Sequence, residues 1–215
     1  MIRVFLLDDH EVVRRGVAAS IDAEPDIGVV GEAGEASQAL AEVERCQPDV
    51  AVLDVRLADG NGIDVCRALR KAFPHVNVLI LTSFDSDRAF VDAERAGASG
   101  FVLKEIRSAN LIQAIRVVAA GGSVLDQARM RLASQRVRDA DSEERLLEQL
   151  TPQERRIFDL IGEGRSNRQI AQEMYLAEKT VKNYVSNVLA KLGLSRRTEA
   201  AAIAARLDER HRHDD

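Results

Sequence analysis

The sequence predicts an α/β domain built on a five-stranded parallel sheet, followed by a small all-α domain, and three observations predict it. Short apolar or β-branched runs alternate with helix-spaced stretches over the first 121 residues. Runs that are apolar on both sides and alternate with helices indicate a parallel sheet covered on both faces. Beyond residue 150 the strand signal ends and capped helices take over. The length, 215 residues, suits two small domains.

The strand runs are Ile2–Leu7, Ile27–Val30, Val50–Leu53, Val78–Thr82 and Gly100–Leu103. Helical spacing recurs at about 10–22, 36–46, 61–72, 86–96 and 108–120, with Gly97 and Gly121-Gly122 marking two helix ends. Residues 122–149 break the rhythm, because Arg136 to Arg145 is almost wholly polar. This segment reads as a linker, partly helical, with Leu146, Leu147 and Leu150 available to dock on a neighbouring domain. Thr151-Pro152-Gln153-Glu154 then combines an N-cap Thr, Pro at the first helical position and Glu at the third, a capping box. Ser166-Asn167-Arg168-Gln169 repeats the device, and Gly162-Glu163-Gly164 supplies a turn. The outline is a helix-turn-helix. The division predicted is 1–121, 122–149 and 150–215.

Apolar residues form 46 % of the chain and aromatic residues only 4 %, so the cores must be built mainly from Ala, Val, Leu and Ile. No apolar run reaches the ~18 residues that cross a bilayer. The N-terminus runs into Asp8-Asp9 without a secretory pattern, so a cytoplasmic location and no membrane contact are expected. Cys46 and Cys66 lack CxxC spacing and read as free buried thiols. The net charge of −5 hides an asymmetry: from Thr151 on there are 12 Lys+Arg against 10 Asp+Glu, and before it 18 against 25. Five basic residues and one acid lie between Glu178 and Arg197, a focused positive patch.

Asp8-Asp9 follow the first strand, Asp54 follows the third, and Thr82 and Lys104 close the fourth and fifth. Open parallel sheets bind ligands beyond the carboxyl ends of their strands, where strand order reverses. In the order 2-1-3-4-5 strands one and three are neighbours. Asp8, Asp9 and Asp54 then crowd into one pocket, with Thr82 and Lys104 at its rim. Clustered carboxylates repel one another and require a cation, and hard oxygen ligands suit Mg²⁺. Such an ion also bridges the oxygens of a phosphoryl group, at which Lys104 and the Thr82 hydroxyl are aimed. Asp54 is then the nucleophile that forms an aspartyl-phosphate. Singly, these residues have ordinary explanations as N-cap, turn residue and solvated lysine; only the joint set carries the reading. A competing pattern, Val29-Val30-Gly31-Glu32-Ala33-Gly34, places glycines after a strand as a nucleotide-binding loop would. It lacks the third glycine and sets glutamates against a phosphate.

Leu7-Asp8-Asp9-His10, Leu53-Asp54-Val55-Arg56, Asp59-Gly60-Asn61-Gly62, Leu81-Thr82-Ser83 and Phe101-Val102-Leu103-Lys104 resemble the receiver domain of two-component systems over residues 2–121. The resemblance implies a flavodoxin-like fold with Asp54 as phosphoacceptor and Asp8 and Asp9 as Mg²⁺ acids. It implies a metal contact from the Arg56 backbone carbonyl and phosphoryl contacts from Thr82 and Lys104. Phe101 holds the place of an aromatic switch that turns inward as Thr82 moves, and Arg56 and Phe84 are read as tuning phosphoryl lifetime.

In the basic stretch, Val181, Tyr184, Val185, Val188, Leu189 and Leu192 form an apolar stripe, with Lys179, Lys182, Asn183 and Ser186 opposite. A helix so divided, after a capped helix and a turn, suits the DNA major groove; Asn can bond an adenine edge and Lys a guanine or phosphate. Arg165, Arg168, Arg196 and Arg197 are candidate phosphate contacts. A solvated lysine-rich helix shows the same spacing. Leu150–Glu154, Glu163–Ala171, Glu178–Val185 and Leu189–Gly193 resemble the LuxR-type helix-turn-helix over about 150–208. That likeness includes Thr180 in the recognition helix. Many relatives carry Ser where Ala177 stands; losing that cap costs roughly 1 kcal/mol and predicts a helix start that frays without DNA. An alanine-rich helix at about 198–207 closes the domain, and His211 and His213 read as a disordered polar tail.

Together the two halves resemble the NarL/FixJ class of response regulators. The resemblance implies a non-enzymatic transcription factor that takes a phosphoryl group from a sensor histidine kinase. It further implies a homodimer paired through its C-terminal helix on a double-stranded DNA operator, working with RNA polymerase. Two other readings stay open: a flavodoxin-like enzyme fused to a helical domain, and a pseudo-receiver that only dimerises.

Overall fold

The computed structural model describes the backbone of residues 1–214 and the side chains of residues 1–207. It divides into two compact units, Met1–Val137 and Arg138–Asp215.

The first unit is organised by a five-stranded sheet of β1 (Ile2–Leu7), β2 (Ile27–Ala33), β3 (Val50–Leu53), β6 (Asn77–Thr82) and β7 (Gly100–Leu103). Every pairing is parallel and the order is β2-β1-β3-β6-β7. Counting the strands of this sheet alone, that is the predicted 2-1-3-4-5. Two-residue strands β4 (Arg56–Leu57) and β5 (Gly60–Asn61) form a separate antiparallel hairpin. Alternation along β1 shows how the core is split. Val4 and Leu6 face one side, with α1 (Glu11–Asp22) and α5 (Ser108–Ala119) supplying Ile21, Leu111 and Ile115. Phe5 and Leu7 face the other, with α2 (Ala39–Cys46), α3 (Gly62–Ala72) and α4 (Asp87–Arg95) supplying Val43, Leu69 and Phe90. Successive strand residues point to opposite faces, so a strand buried on both sides must be apolar throughout. All four residues of central β3 are buried.

Two local differences from the sequence reading have steric causes. Strand β2 continues to Ala33, so Gly31 lies within a strand and does not open a loop before a helix. A Cβ there would sit 2.9 Å from the Cys46 sulfur and 3.3 Å from the Phe5 ring; the glycine serves packing. Residues 127–147 form one helix, α6 (Gln127–Leu147), within the stretch read as a partly helical linker. Its early part sends Met130, Ala133 and Val137 into the core of the first unit. These positions follow helical spacing, but a stripe this narrow, flanked by charges, gives little periodic signal. Leu147 and Leu150 belong to the core of the second unit.

The second unit comprises α7 (Pro152–Gly162), α8 (Asn167–Glu173), α9 (Glu178–Lys191) and α10 (Arg197–Asp214). Both expected capping boxes form, on Thr151 with Glu154 and on Ser166 with Gln169. Ile157, Phe158, Leu160, Ile170, Val181 and Val188 make its centre. Helix α10 runs beyond the expected 198–207, and the side chains of His211 and His213 lie outside the described residues. Among the described residues no helix is long and apolar enough to cross a membrane.

One glycine ties the fold to the first unit's functional edge. A Cβ on Gly62 would lie 1.8 Å from the Asp54 carbonyl oxygen and 2.8 Å from its carbon. Backbone cannot yield as a side-chain tip does. Gly62→Ala is therefore expected to lower the unfolding free energy by about 3 kcal/mol, measured by chemical denaturation of the full chain.

Candidate functional site

Register brings the first set of residues together. Leu7 of β1 pairs with Leu53 of β3, so Asp8 and Asp54, one residue further on, stand side by side. The Asp54 amide donates to the Leu7 carbonyl at 2.8 Å, fixing the two strand ends. Thr82 pairs with Leu103, and the Lys104 amide donates to the Thr82 carbonyl at 2.8 Å. Lys104 thereby reaches across the sheet's rim. Its Nζ lies 2.6 Å from Asp8 Oδ2 and 2.6 Å from Asp54 Oδ2. Asp8 and Asp54 are 6 % and 5 % exposed, so this ion pair is formed away from water. Burial penalises the Lys104 ammonium, but its hydrogen bonds to Asp54 and Asp8 outweigh that and hold its pKa above the ordinary lysine value.

The second oxygens are also placed. Asp54 Oδ1 accepts from the Val55 amide at 2.7 Å, Asp8 Oδ1 from the His10 amide at 2.9 Å, and Asp9 Oδ2 from the Ala58 amide at 3.1 Å. Asp9 Oδ1 is different. It is shielded from solvent and receives no directed hydrogen bond, although the two-thirds-exposed His10 ring places Nδ1 2.7 Å away. Ligand atoms of Asp8, Asp9, His10 and Asp54 all lie within 4.8 Å of one another. Three carboxylates, one with an unsatisfied buried oxygen, fit a hard divalent cation. His10 is the one member of this cluster to which the sequence alone assigns no role; its only local signal is adjacency to the acidic pair.

The other expected residues of this unit have partners of their own. Thr82 is 1 % exposed, and its hydroxyl accepts from the Phe84 amide at 3.1 Å. The Arg56 guanidinium lies 4.0 Å from the centre of the Phe84 ring, a cation–π contact between two residues read as lifetime-tuning. Phe101 is buried and meets Phe90 edge to face at 5.3 Å. Arg129 of α6 stands 4.3 Å above Phe90 and 5.7 Å from Phe101, and pairs with Asp85. Sequence reasoning missed Arg129 because its ion-pair partner lies 44 residues away.

In the second unit, α9 divides as its spacing predicts. Val181, Val185 and Val188 are buried, while Lys179, Lys182, Asn183 and Ser186 are exposed and Thr180 is half-buried. Ala177 makes no side-chain cap, although its carbonyl accepts from the Thr180 amide at 2.9 Å. Arg165, Arg168 and Arg196 are exposed. Arg197 is engaged in the fold, donating to Asn167 Oδ1 at 2.9 Å and to the Arg165 carbonyl. Burial lowers its pKa. At the other end of α9, Lys191 Nζ lies 2.6 Å from Glu154 Oε2, which also accepts from the Thr151 amide at 2.9 Å.

A doubly wound receiver sheet with an acidic, lysine-bridged rim, joined to a helix-turn-helix, is the plan of a LuxR-type response regulator, and the chain belongs to that family. Residues 4–116 match the response regulator receiver domain, and residues 148–204 match the luxR family of bacterial regulatory proteins. The chain is 52 % identical to the DNA-binding transcriptional activator DevR/DosR of Mycobacterium tuberculosis, over 96 % of this chain and 95 % of that protein. It is 36 % identical to the transcriptional regulatory protein LiaR of Bacillus subtilis, over 96 % and 98 %. Among solved structures, the response regulator ChrA of a heme-sensing two-component system is 34 % identical, with TM-score 0.57 over 97 % of this chain and 98 % of that one.

The Glu154 contacts generate a pH prediction. The Lys191 hydrogen bond, with the Thr151 amide, pulls the Glu154 carboxyl from 4.5 down to about 2. A carboxylate depressed on folding contributes its full stability above the unfolded pKa and loses it as pH falls towards the folded one. Glu154→Gln is expected to melt below the parent protein near neutral pH. That gap should close between about pH 4.5 and about pH 2, as thermal unfolding monitored by circular dichroism will show.

Proposed function

We propose that this chain is a phosphorylation-gated transcription regulator, in which a sensor histidine kinase phosphorylates Asp54 and so controls dimerisation and binding to a DNA operator. The observation that carries the proposal is the convergence of Asp8 and Asp54 on Lys104 Nζ, 2.6 Å from each. An oxygen of Asp54 attacks the phosphorus, the bond to the kinase imidazole breaks, and an acyl-phosphate forms while the freed imidazole takes up a proton. Both Asp54 oxygens are hydrogen-bonded in this state. Lys104 must therefore turn from Oδ2 towards the incoming phosphoryl oxygens, where its charge is most useful. Mg²⁺, held by Asp8, Asp9, Asp54 and the Arg56 backbone carbonyl, would neutralise charge on the transferred group. The Thr82 hydroxyl is the second phosphoryl contact, and Phe101, buried beside Phe90, is the switch that follows it. Residues 1–121 form the receiver, 122–149 the connection and 150–215 the output domain.

Lys179, Lys182, Asn183, Thr180 and Ser186 read base edges and nearby phosphates, and Arg165, Arg168 and Arg196 set affinity through the backbone. Arg197 would reach a phosphate only by giving up its bonds to Asn167 and Arg165. In α10, Ala200 and Ala204 are buried within the domain, while Ala202 and Ala205 are exposed; the latter pair is the surface available to a second copy. RNA polymerase is the partner on DNA. A hypoxia or redox stimulus rests on the likeness to DevR/DosR alone.

Acetyl phosphate with Mg²⁺ tests the receiver half: wild type should incorporate an acid-stable, hydroxylamine-labile phosphoryl group, and Asp54→Ala none, with its circular dichroism retained. Undiminished labelling of that variant would refute the assignment. For the output half, Lys179→Ala combined with Asn183→Ala is expected to cost about 2–4 kcal/mol of specific DNA affinity. Retained affinity at moderate salt would count against it.

A further inference from the structure

Three helices of the second unit end in the same way, and one of them uses the wrong residue. After α7 the Gly164 amide bonds the Ile161 carbonyl at 3.0 Å and the Arg165 amide bonds Leu160 at 3.1 Å. After α9 the Gly193 amide bonds Ala190 at 3.2 Å and the Leu194 amide bonds Leu189 at 2.8 Å. These are Schellman motifs, in which the residue past the cap is left-handed; Gly164 has φ +78° and Gly193 φ +67°. After α8 the Leu176 amide bonds Ala171 at 2.9 Å and the Tyr175 amide bonds Gln172 at 3.4 Å, the same motif. The left-handed place is held by Tyr175, at φ +55°. A tyrosine Cβ is crowded there where glycine is not.

Nothing in the fold repays that strain. Tyr175 is 96 % exposed, the most exposed large apolar side chain of the described residues. The other non-glycine residue with positive φ among them, Gln47, at least ties its side chain to the Glu44 carbonyl at 2.7 Å. A strained residue whose side chain packs on nothing points to a contact outside the chain. Its position says which. Tyr175 occupies the turn that leads into α9, two residues before the Ala177 cap and four before exposed Lys179.

We propose that Tyr175 is a DNA-backbone contact whose hydroxyl donates to a phosphate oxygen beside the groove that α9 enters; this rests on the DNA-binding reading above. A neutral donor on a rigid ring adds affinity and register without adding counterion release.

The test uses the full-length protein, with and without acetyl phosphate. Its probes are a duplex that the protein itself selects from a random pool and a mixed-sequence duplex of equal length. Tyr175→Gly, Tyr175→Asn and Tyr175→Phe are compared with wild type and Lys179→Ala. All three Tyr175 variants should bind both duplexes about tenfold more weakly, with the salt dependence of wild type. Lys179→Ala should lower the salt slope by about 1. The Gly and Asn variants should melt no lower than wild type. Unchanged DNA affinity overturns the proposal, including the case where transcription alone falls, which would assign Tyr175 to a protein partner. So does wild-type affinity in the Phe variant, or a lowered melting point in both the Gly and Asn variants. If Lys179→Ala also binds as wild type does, the DNA reading of α9 fails first.

Discussion

The Lys104 ammonium between two buried carboxylates is the contact on which the chemistry of the first unit depends. Parallel strands β1 and β3 deliver Asp8 and Asp54 to adjacent strand ends, where water is largely excluded. Carboxylates placed this close repel one another, and breaking a buried ion pair by removing one partner typically costs about 3–5 kcal/mol. Lys104, sent across from β7, meets both. Asp9 adds a third carboxylate, so the cluster still carries more negative than positive charge. One lysine thus offsets part of this charge, and the clustered carboxylate oxygens are of the hard kind that suits a divalent cation. Stability and reactivity compete for the same ammonium.

Much of this was legible because strand ends are legible. Apolar runs bounded by Asp, Thr and Lys fixed where each strand stops, and one rule about sheet order made three separate acids into neighbours. The hairpin of Arg56–Leu57 and Gly60–Asn61 was not visible, since two-residue strands carry no period. The second strand runs past its expected end at Val30 to Ala33, and the constraint on Gly31, the nearness of Cys46 and Phe5, exists only in three dimensions. The early part of α6 was hidden for a different reason: Ala133 and Val137 are fully buried, yet they sit in a sequence dominated by charge. Glu154 was read correctly as a helix cap. Its bond to Lys191, thirty-seven residues on, had no local trace.

Helix α6 changes how the proposed switch works inside the first unit. Arg129 covers the Phe90–Phe101 pair and holds Asp85, three residues beyond Thr82. Arg136 adds a bond to Asp87 at the start of α4. One guanidinium therefore touches the segment after β6, the aromatic residue of β7 and the helix that leads out of the sheet. Cation–π contacts are worth about 0.5–2 kcal/mol and exposed ion pairs about 0–1 kcal/mol. A link of that size can be broken or remade by an event that biases a two-state balance by a few kcal/mol. In the proposed mechanism, movement of Phe101 would alter its contact with Arg129.

Burial also sorts the candidate DNA contacts, which composition alone had left equal. Arg197, counted with the phosphate binders, spends its donors on Asn167 and the Arg165 carbonyl and so holds the entrance of α8. Ala200 and Ala204, on the helix through which the family likeness implies pairing, are consumed by the core of the helical domain. Of those that remain exposed, Lys179, Lys182, Asn183 and Ser186 on α9 and Arg168 on α8 lie on two helices joined by the turn that holds Tyr175, with Arg165 and Arg196 outside them. Helices α7 and α9 finish with glycine and α8 does not. A chain that knows how to end a helix without strain, and does so on either side of this turn, has kept an exposed tyrosine where a glycine would fit better. Folding alone gives no reason for it there; the proposed phosphate contact does.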